Sequence, residues 1–323
     1  MTGAAADHAA AVIRGTVDPF PTGEVGTIAA MRSRTLLLAA GLTAALAAAA
    51  GCAPADDDTA TPAASGGSTA AAANCAPASL KTVAAGKLTI ATDEPVYEPW
   101  FKDNKPESGE GFEAAVAYAV ATKLGYSKDQ VGWTRVTFNN AIAPGKKTFD
   151  FDVNEFSITD ERKQAVDFSA PYYDVTQTVI ALKSSKIAGA KSVADLKGAK
   201  LGAQVGTTSY RSITEVVKPA AQPQVYNNND DAKKALQNGQ IDGLVVDLPT
   251  AFYITGAEIT DAQIVGQLPQ PSGTPEQFGL VLDKGSALTG CVSQAVDALR
   301  ADGTLKKLTE QWLSSVQGAP TLS

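Results

Sequence analysis

Ser157-Ile158-Thr159-Asp160-Glu161-Arg162, continuing through Asp167-Phe168-Ser169 to Pro171-Tyr172-Tyr173, is the stretch on which the fold turns. It sets a hydroxyl, a helix start and an arginine within one turn. Thr159 reads as an N-cap with Arg162 three residues on, so free backbone N–H groups and a guanidinium converge. Such a group can grip a small carboxylate, because arginine's planar fork binds it through two bonds where lysine offers a point charge. Alone, a Ser-x-Thr-x-x-Arg helix start more often describes a solvated cap with a surface arginine. Its surroundings decide between the two.

Downstream and upstream, short apolar strands alternate with amphipathic helices. Leu88–Ala91, Val131–Phe138 and Phe151–Val153 read as strands, and Phe112, Ala115, Val116, Ala119, Val120 and Leu124 recur at helical spacing before Gly125 ends the run. Asp160–Val166 reads as a helix. A second block follows: strands Lys200–Gln204, Gln224–Tyr226 and Ile241–Val246 with helices at Val193–Leu196, from Thr207 and at Asp230–Asn238. Phe278–Leu282 is a further strand, and helices Ser286–Ala301 and Thr304–Leu313 close the chain. This pattern predicts an α/β protein of two lobes, each a mostly parallel sheet covered by helices. The long strands Thr176–Leu182 and Phe278–Leu282 flank the middle block and are the natural crossings. The expected division is 75–181 with 279–323 for the first lobe and 182–278 for the second.

The N-terminus carries a different message. Met31, Arg32 and Arg34 precede an apolar run from Leu36 to Ala50 and then Gly51-Cys52, the order of a secretory signal. The run is too short and alanine-rich for a transmembrane span. Residues 1–30 read as an over-long translation start. Ala53–Ala73 holds no large apolar residue and reads as a flexible tether. Removing residues 1–51 takes away three arginines and three acids, so the net charge stays at −7. That acidity argues against nucleic acid and against an anionic membrane surface as partners. The single histidine, His8, also goes. Without histidine there is no Ser-His-Asp triad and no ordinary zinc site. Gly145-Lys146-Lys147-Thr148 echoes the end of a phosphate loop, but Asn140 stands where the upstream glycine belongs, and the string reads as a surface helix end.

With these pieces in place, the chain resembles the family 3 extracellular solute-binding proteins, the amino-acid receptors of ABC importers, from Leu80 to Leu313. The resemblance rests on Leu88-Thr89-Ile90-Ala91-Thr92-Asp93, Gly111-Phe112-Glu113, the opening Ser157–Tyr173 run, Val205-Gly206-Thr207-Thr208, Asp242–Asp247, and Gly303-Thr304-Leu305 followed by Trp312. It implies a type II periplasmic-binding-protein fold: two lobes joined by two crossing strands, with the ligand enclosed between them. It implies an extracytoplasmic monomer that serves a permease, with no cofactor and no catalysis. Ala49-Ala50-Gly51-Cys52 resembles a lipobox, which would make Cys52 a lipid anchor for residues 52–74. Cys75 and Cys291 then remain, and export permits a disulfide between them.

Residue by residue, the resemblance assigns Arg162 to the ligand α-carboxylate with Ser157 nearby, Thr208 and Thr207 to the matching helix start in the second lobe, and Asp247 to the α-ammonium. Without the family, Asp247 reads rather as the N-cap of a helix through Pro249. Tyr97, Trp100, Trp133 and Phe138 are candidate aromatic walls, with Tyr97 and Phe138 favoured, and Asp93 lies where relatives contact the ligand side chain. One position departs: Glu155 stands where the family has glycine or serine. A carboxylate there, with Asp93, favours a cationic or hydrogen-donating ligand; the alternative is that Glu155 pairs with a cleft lysine or arginine and neutral amino acids bind. Two other functions share this scaffold: a cyclohexadienyl dehydratase-like enzyme using Glu155 as acid or base, and a sensor or recognition subunit.

Overall fold

The first lobe opens with β1 (Leu88–Thr92), whose residues alternate small and large, and is followed by α1 (Phe112–Lys123), β2 (Val131–Arg135), α2 (Phe138–Ile142) and β3 (Phe151–Asp152). The computed structural model describes residues 74–323 except 271, 272, 274 and 317. The expectations for the signal segment, Cys52 and most of the tether therefore lie outside the described residues. After β3 come α3 (Arg162–Ala165), β4 (Val166–Phe168) and β5 (Tyr173–Val175). The second lobe holds β6 (Gln177–Leu182), β7 (Leu201–Gln204), α4 (Thr208–Ser212, continued by a π turn to Val217) and β8 (Gln224–Tyr226). It is completed by α5 (Asn229–Gln237), β9 (Gly243–Asp247), α6 (Leu248–Tyr253) and β10 (Ala262–Gln267). The chain returns through β11 (Glu276–Phe278) and β12 (Val281–Asp283) to α7 (Thr289–Ala301) and α8 (Thr304–Trp312).

The first sheet runs β2-β1-β3-β12-β4 and the second β10-β6-β9-β7-β8. Each keeps a parallel trio at its heart, β2-β1-β3 and β9-β7-β8. Antiparallel strands join where the chain enters or returns, as β12 does in the first lobe and β6 in the second. The period of two along a strand explains how each sheet buries both faces. On β6 and β9, Val179, Ala181 and Val245 pack into one cluster while Ile180, Leu244 and Val246 pack into the other. In the first lobe, Leu88 and Ile90 meet Phe112, Val116 and Val120 of α1 and Val292 and Val296 of α7. Gly111 enters α1 at φ +103, and a Cβ there would lie 2.4 Å from the Trp100 carbonyl oxygen, so only glycine fits.

The lobes are joined by two crossing strands, but earlier on the chain than the hydrophobic runs suggest. The crossing ladder is the short antiparallel pair β5 and β11, with Tyr173 opposite Phe278. The expected crossing at Thr176–Leu182 is instead β6, paired on both sides inside the second sheet. The expected crossing at Phe278–Leu282 breaks at Gly279, after which β12 belongs to the first sheet. Apolar content cannot tell a crossing strand from the buried strand that follows it. Two other boundaries shift. The strand expected to reach Phe138 ends at Arg135, and Phe138 begins α2.

After α8 the chain departs from the expected division, which gave everything beyond residue 278 to the first lobe. Leu313 packs in the first-lobe core, but Leu322 is buried in the second-lobe cluster. Thr321 bridges Gln267, and Gln267 also exchanges backbone bonds with Pro320 and Leu322 at 2.8 and 2.9 Å. The tail thus lengthens the edge of the second sheet at β10. The polar, proline-containing tail carries one apolar anchor, too little periodicity to reveal its destination. At the other end, Cys75 and Cys291 form the expected disulfide, with Cα atoms 5.4 Å apart, fastening the start of the domain to α7.

Candidate functional site

Arg162 opens α3 at the floor of a cleft between the lobes. Its N–H bonds to Thr159 Oγ1 at 3.2 Å, the cap expected from the sequence. The guanidinium donates to the Ser157 carbonyl of its own lobe at 2.7 Å and to the Gly206 carbonyl of the other at 3.0 Å. Its plane sits 5.3 Å above the Phe138 ring. Burial, with Arg211 nearby, lowers its pKa to about 10, so it remains a cation at neutral pH. The surface-arginine reading therefore fails: Arg162 is buried, and its unused N–H groups are available to a carboxylate. Gly206 sits at φ +77, and a Cβ would fall 2.2 Å from Asn139 Oδ1, so glycine lets the second lobe approach this closely.

Thr207 is the N-cap of α4: its hydroxyl accepts from Tyr210 N at 3.2 Å and donates to Gln204 O at 2.7 Å. The side chain is thereby spent on the helix. Thr208 differs, for its Oγ1 lies 3.2 Å from Ser157 Oγ of the first lobe. Ser157 does not line the cleft; it sits behind it, donating to Glu276 Oε2 at 3.0 Å. The α4 start therefore offers N–H groups and a hydroxyl opposite Arg162, both suited to an anion.

Asp247 ends β9 and precedes Pro249 of α6. It makes no side-chain cap bond to that helix, against the N-cap reading. Its carboxylate accepts instead from Gln177 Nε2 at 2.7 Å. Burial, then Glu276, raises its pKa to about 8. Glu155 stands beside it. Its backbone is left-handed at φ +52, a conformation easy for glycine and costly for other residues. The Glu155 N–H donates to Glu113 Oε1 at 2.7 Å, and its Oε2 accepts from Thr250 Oγ1 at 3.1 Å. Burial, then the Asp247 charge, raises the Glu155 carboxyl well above its usual range. Among the described residues no lysine or arginine pairs with Glu155, contrary to the neutral-ligand alternative. Glu113 is fully buried beneath this loop, also holds the Tyr172 hydroxyl, and is raised by burial to about 7. The Gly-Phe-Glu motif thus supports the site from below.

Asp93 accepts from the backbone of Glu94 at 2.7 Å and of Phe138 at 3.1 Å, and burial raises its pKa. Tyr97, Phe138, Glu155 and Asp93 line one cleft with Arg162, Thr207, Thr208 and Asp247. Phe138 is itself stacked on Phe156 at 4.7 Å. Trp133 packs with Phe101 and Tyr118 away from the cleft. Trp100 lies in the core, reaching the cleft only through its indole N–H.

Sequence reasoning missed several lining residues: Asn154, Gln204, Ser209, Asn229 and Thr250. It also missed Gln177, whose amide donates to Asp247, Thr208 (3.3 Å) and Glu276 (3.2 Å) and accepts from Ser209 Oγ at 2.6 Å. A glutamine opening the apolar run Thr-Val-Ile-Ala-Leu was the available signal. Lys147, read as a surface helix end, is buried and caps α2 through the Ala143 and Asn140 carbonyls. Among the described residues no group of three acids, cysteines or histidines could hold a metal.

Known proteins share this architecture. An L-arginine-binding protein of Pseudomonas aeruginosa is 31% identical over 73% of this chain and 92% of its own length. The ABC transporter glutamine-binding protein GlnH of Bacillus subtilis is 32% identical over 64% of this chain and 75% of its own. Among solved structures, the ancestral amino acid-binding protein AncCDT-1, a precursor of cyclohexadienyl dehydratase, is 33% identical with a TM-score of 0.58 over 70% of this chain and 95% of that one. The profile of the bacterial extracellular solute-binding proteins, family 3, matches residues 88–315, and the chain belongs to that family.

Proposed function

We propose that this protein is an extracytoplasmic receptor that captures an amino acid in the interlobe cleft and delivers it to an ABC importer, and that its ligand carries a cationic or amide-bearing side chain. The carrying observation is that Arg162, the α4 start and Asp247 line one cleft. A zwitterion needs an anion site and a cation site a few ångströms apart, and these groups supply both. The acids outnumber the base, since Asp93, Glu155 and Asp247 share the cleft with Arg162 alone. That balance favours arginine or lysine first and glutamine second, in keeping with relatives named for arginine and glutamine. Thr208 and the N–H groups of the α4 start serve the carboxylate, with Thr207 capping that helix and Ser157 bracing Thr208 from behind, while Tyr97 and Phe138 flank the side chain and Asp93 contacts it. Closure about β5 and β11 expels water and presents the loaded form to a permease.

Isothermal titration against arginine, lysine, glutamine and glutamate tests the ligand class. Tight glutamate binding with no response to the other three would sink it. No turnover of arogenate or prephenate is expected, since catalysis would need Glu155 to act on a substrate rather than brace the cleft. Cys52 is proposed as the lipid-modified first residue of a monomer held at the membrane, which intact-mass measurement of the membrane-extracted protein checks.

A further inference from the structure

Trp100 is anchored where the hinge meets the cleft. Its ring is fully buried and packs edge-on against Tyr173 of β5 at 5.8 Å and Phe278 of β11 at 5.6 Å, the two crossing strands. A third contact, with Phe112 of α1 at 5.9 Å, leaves it no freedom to turn. Its indole N–H points out of the first lobe and donates to Thr250 Oγ1 of the second at 2.8 Å. Thr250 in turn donates its only proton to Glu155 Oε2 of the first lobe at 3.1 Å. One hydroxyl is thus held from two sides by the opposite lobe, accepting from a donor-only indole and donating to an acceptor. Thr250 lies one helical turn beyond Asp247 and is nearly inaccessible to solvent.

We propose that Trp100 and Thr250 form an interlobe latch, positioning residues that hold the cleft shut and aim the Glu155 carboxyl at the ammonium end beside Asp247. The inference rests on the receptor reading above. Opening the lobes strips the indole N–H of its partner and leaves Glu155 without its hydroxyl donor, so the latch resists opening more than it assists encounter. Its signature is a slower release of ligand with unchanged capture.

The test uses Thr250→Val, which keeps the shape and removes the hydroxyl, and Thr250→Ser, which keeps the hydroxyl. L-arginine and L-glutamine are the probes in stopped-flow binding, and the Trp100 indole ¹H–¹⁵N resonance is followed with and without them. A lost hydrogen bond with two buried groups left unpaired predicts release about 10–100-fold faster in Thr250→Val, with the on-rate within about threefold. Thr250→Ser returns release to within about threefold of the parent. The indole resonance shifts in Thr250→Val and returns in Thr250→Ser. Release within twofold of the parent in Thr250→Val, or a loss confined to the on-rate, overturns the latch. Should none of the twenty amino acids bind the parent protein, the receptor reading falls. The latch is then judged on the empty protein, where an indole resonance indifferent to Thr250→Val overturns it.

Discussion

Raising the pH on the empty protein tests the paired carboxyls directly. Asp247 faces Glu155, Glu276, Glu113 and Arg162, with the Gln177 amide as its donor, and its pKa stands at about 8 against an ordinary 3.8. Burial is the main cause, so the raised value belongs to the closed cleft; opened to water, the group returns towards its ordinary range. The closed state is therefore fully favoured below about pH 4 and loses that advantage progressively as the pH rises through about 8. Four pKa units at about 1.4 kcal/mol each put the upper limit at about 6 kcal/mol. Opening the lobes hydrates both carboxylates, so the penalty appears as a shift in the open–closed balance before it appears as unfolding. Small-angle scattering of the ligand-free protein should show a compact form at pH 5 and an expanded one at pH 8.5. A bound α-ammonium replaces the missing positive charge, so the loaded protein stays compact at both. Asp247→Asn should weaken the pH response of the empty form, the remainder belonging to Glu155. A radius of gyration equal at the two pH values, expansion in acid, or an Asp247→Asn variant that responds like the parent would refute the reasoning.

Further consequences are open to measurement. Arg162→Met removes a buried cation that would pair with the ligand carboxylate, and such truncations cost about 3–5 kcal/mol, so calorimetry should find affinity lower by roughly 10²–10⁴-fold. Arg162→Lys, lacking the fork, should recover only part of it. Cys75 and Cys291 are separated by 216 residues, and loop entropy for such a span gives about 5 kcal/mol. The double Cys→Ser variant should therefore melt lower in a thermal scan, while the parent in reducing agent should fall towards it. Leu322→Ala should destabilise the second lobe by about 2–5 kcal/mol in denaturant titration, since the side chain is buried in that core.

The alternation of short apolar strands and helices was enough to read the α/β class and its two lobes, because β1 and β9 are nearly continuous buried runs and period 3.6 survives in α5, α7 and α8. Crossing strands were misplaced because β5 is three residues long and runs into β6 with only Thr176 between them. The proposed carboxylate end of the cleft was suggested by Arg162 and its Thr159 cap. The ammonium end was harder, since Asp247 before Leu-Pro looks like any helix start until Gln177, distant in sequence, claims its carboxylate. Thr250 carries no local pattern and matters through what the other lobe places against it, whereas Gln177 gathers Asp247, Thr208 and Ser209 of its own lobe from positions distant in sequence. Glu155 stood out in the sequence only as a departure, and its partners, Asp247 and Thr250, come from the opposite lobe.

The central claim is that the cleft grips both ends of a zwitterion and closes on it. Titration with the twenty L-amino acids and with decarboxylated analogues such as agmatine, followed by calorimetry and scattering, addresses it directly. The account predicts saturable binding with compaction for at least one amino acid, arginine foremost, and none for the corresponding amine. An amine that binds as tightly as its parent amino acid, or no compaction with any of the twenty, would contradict it.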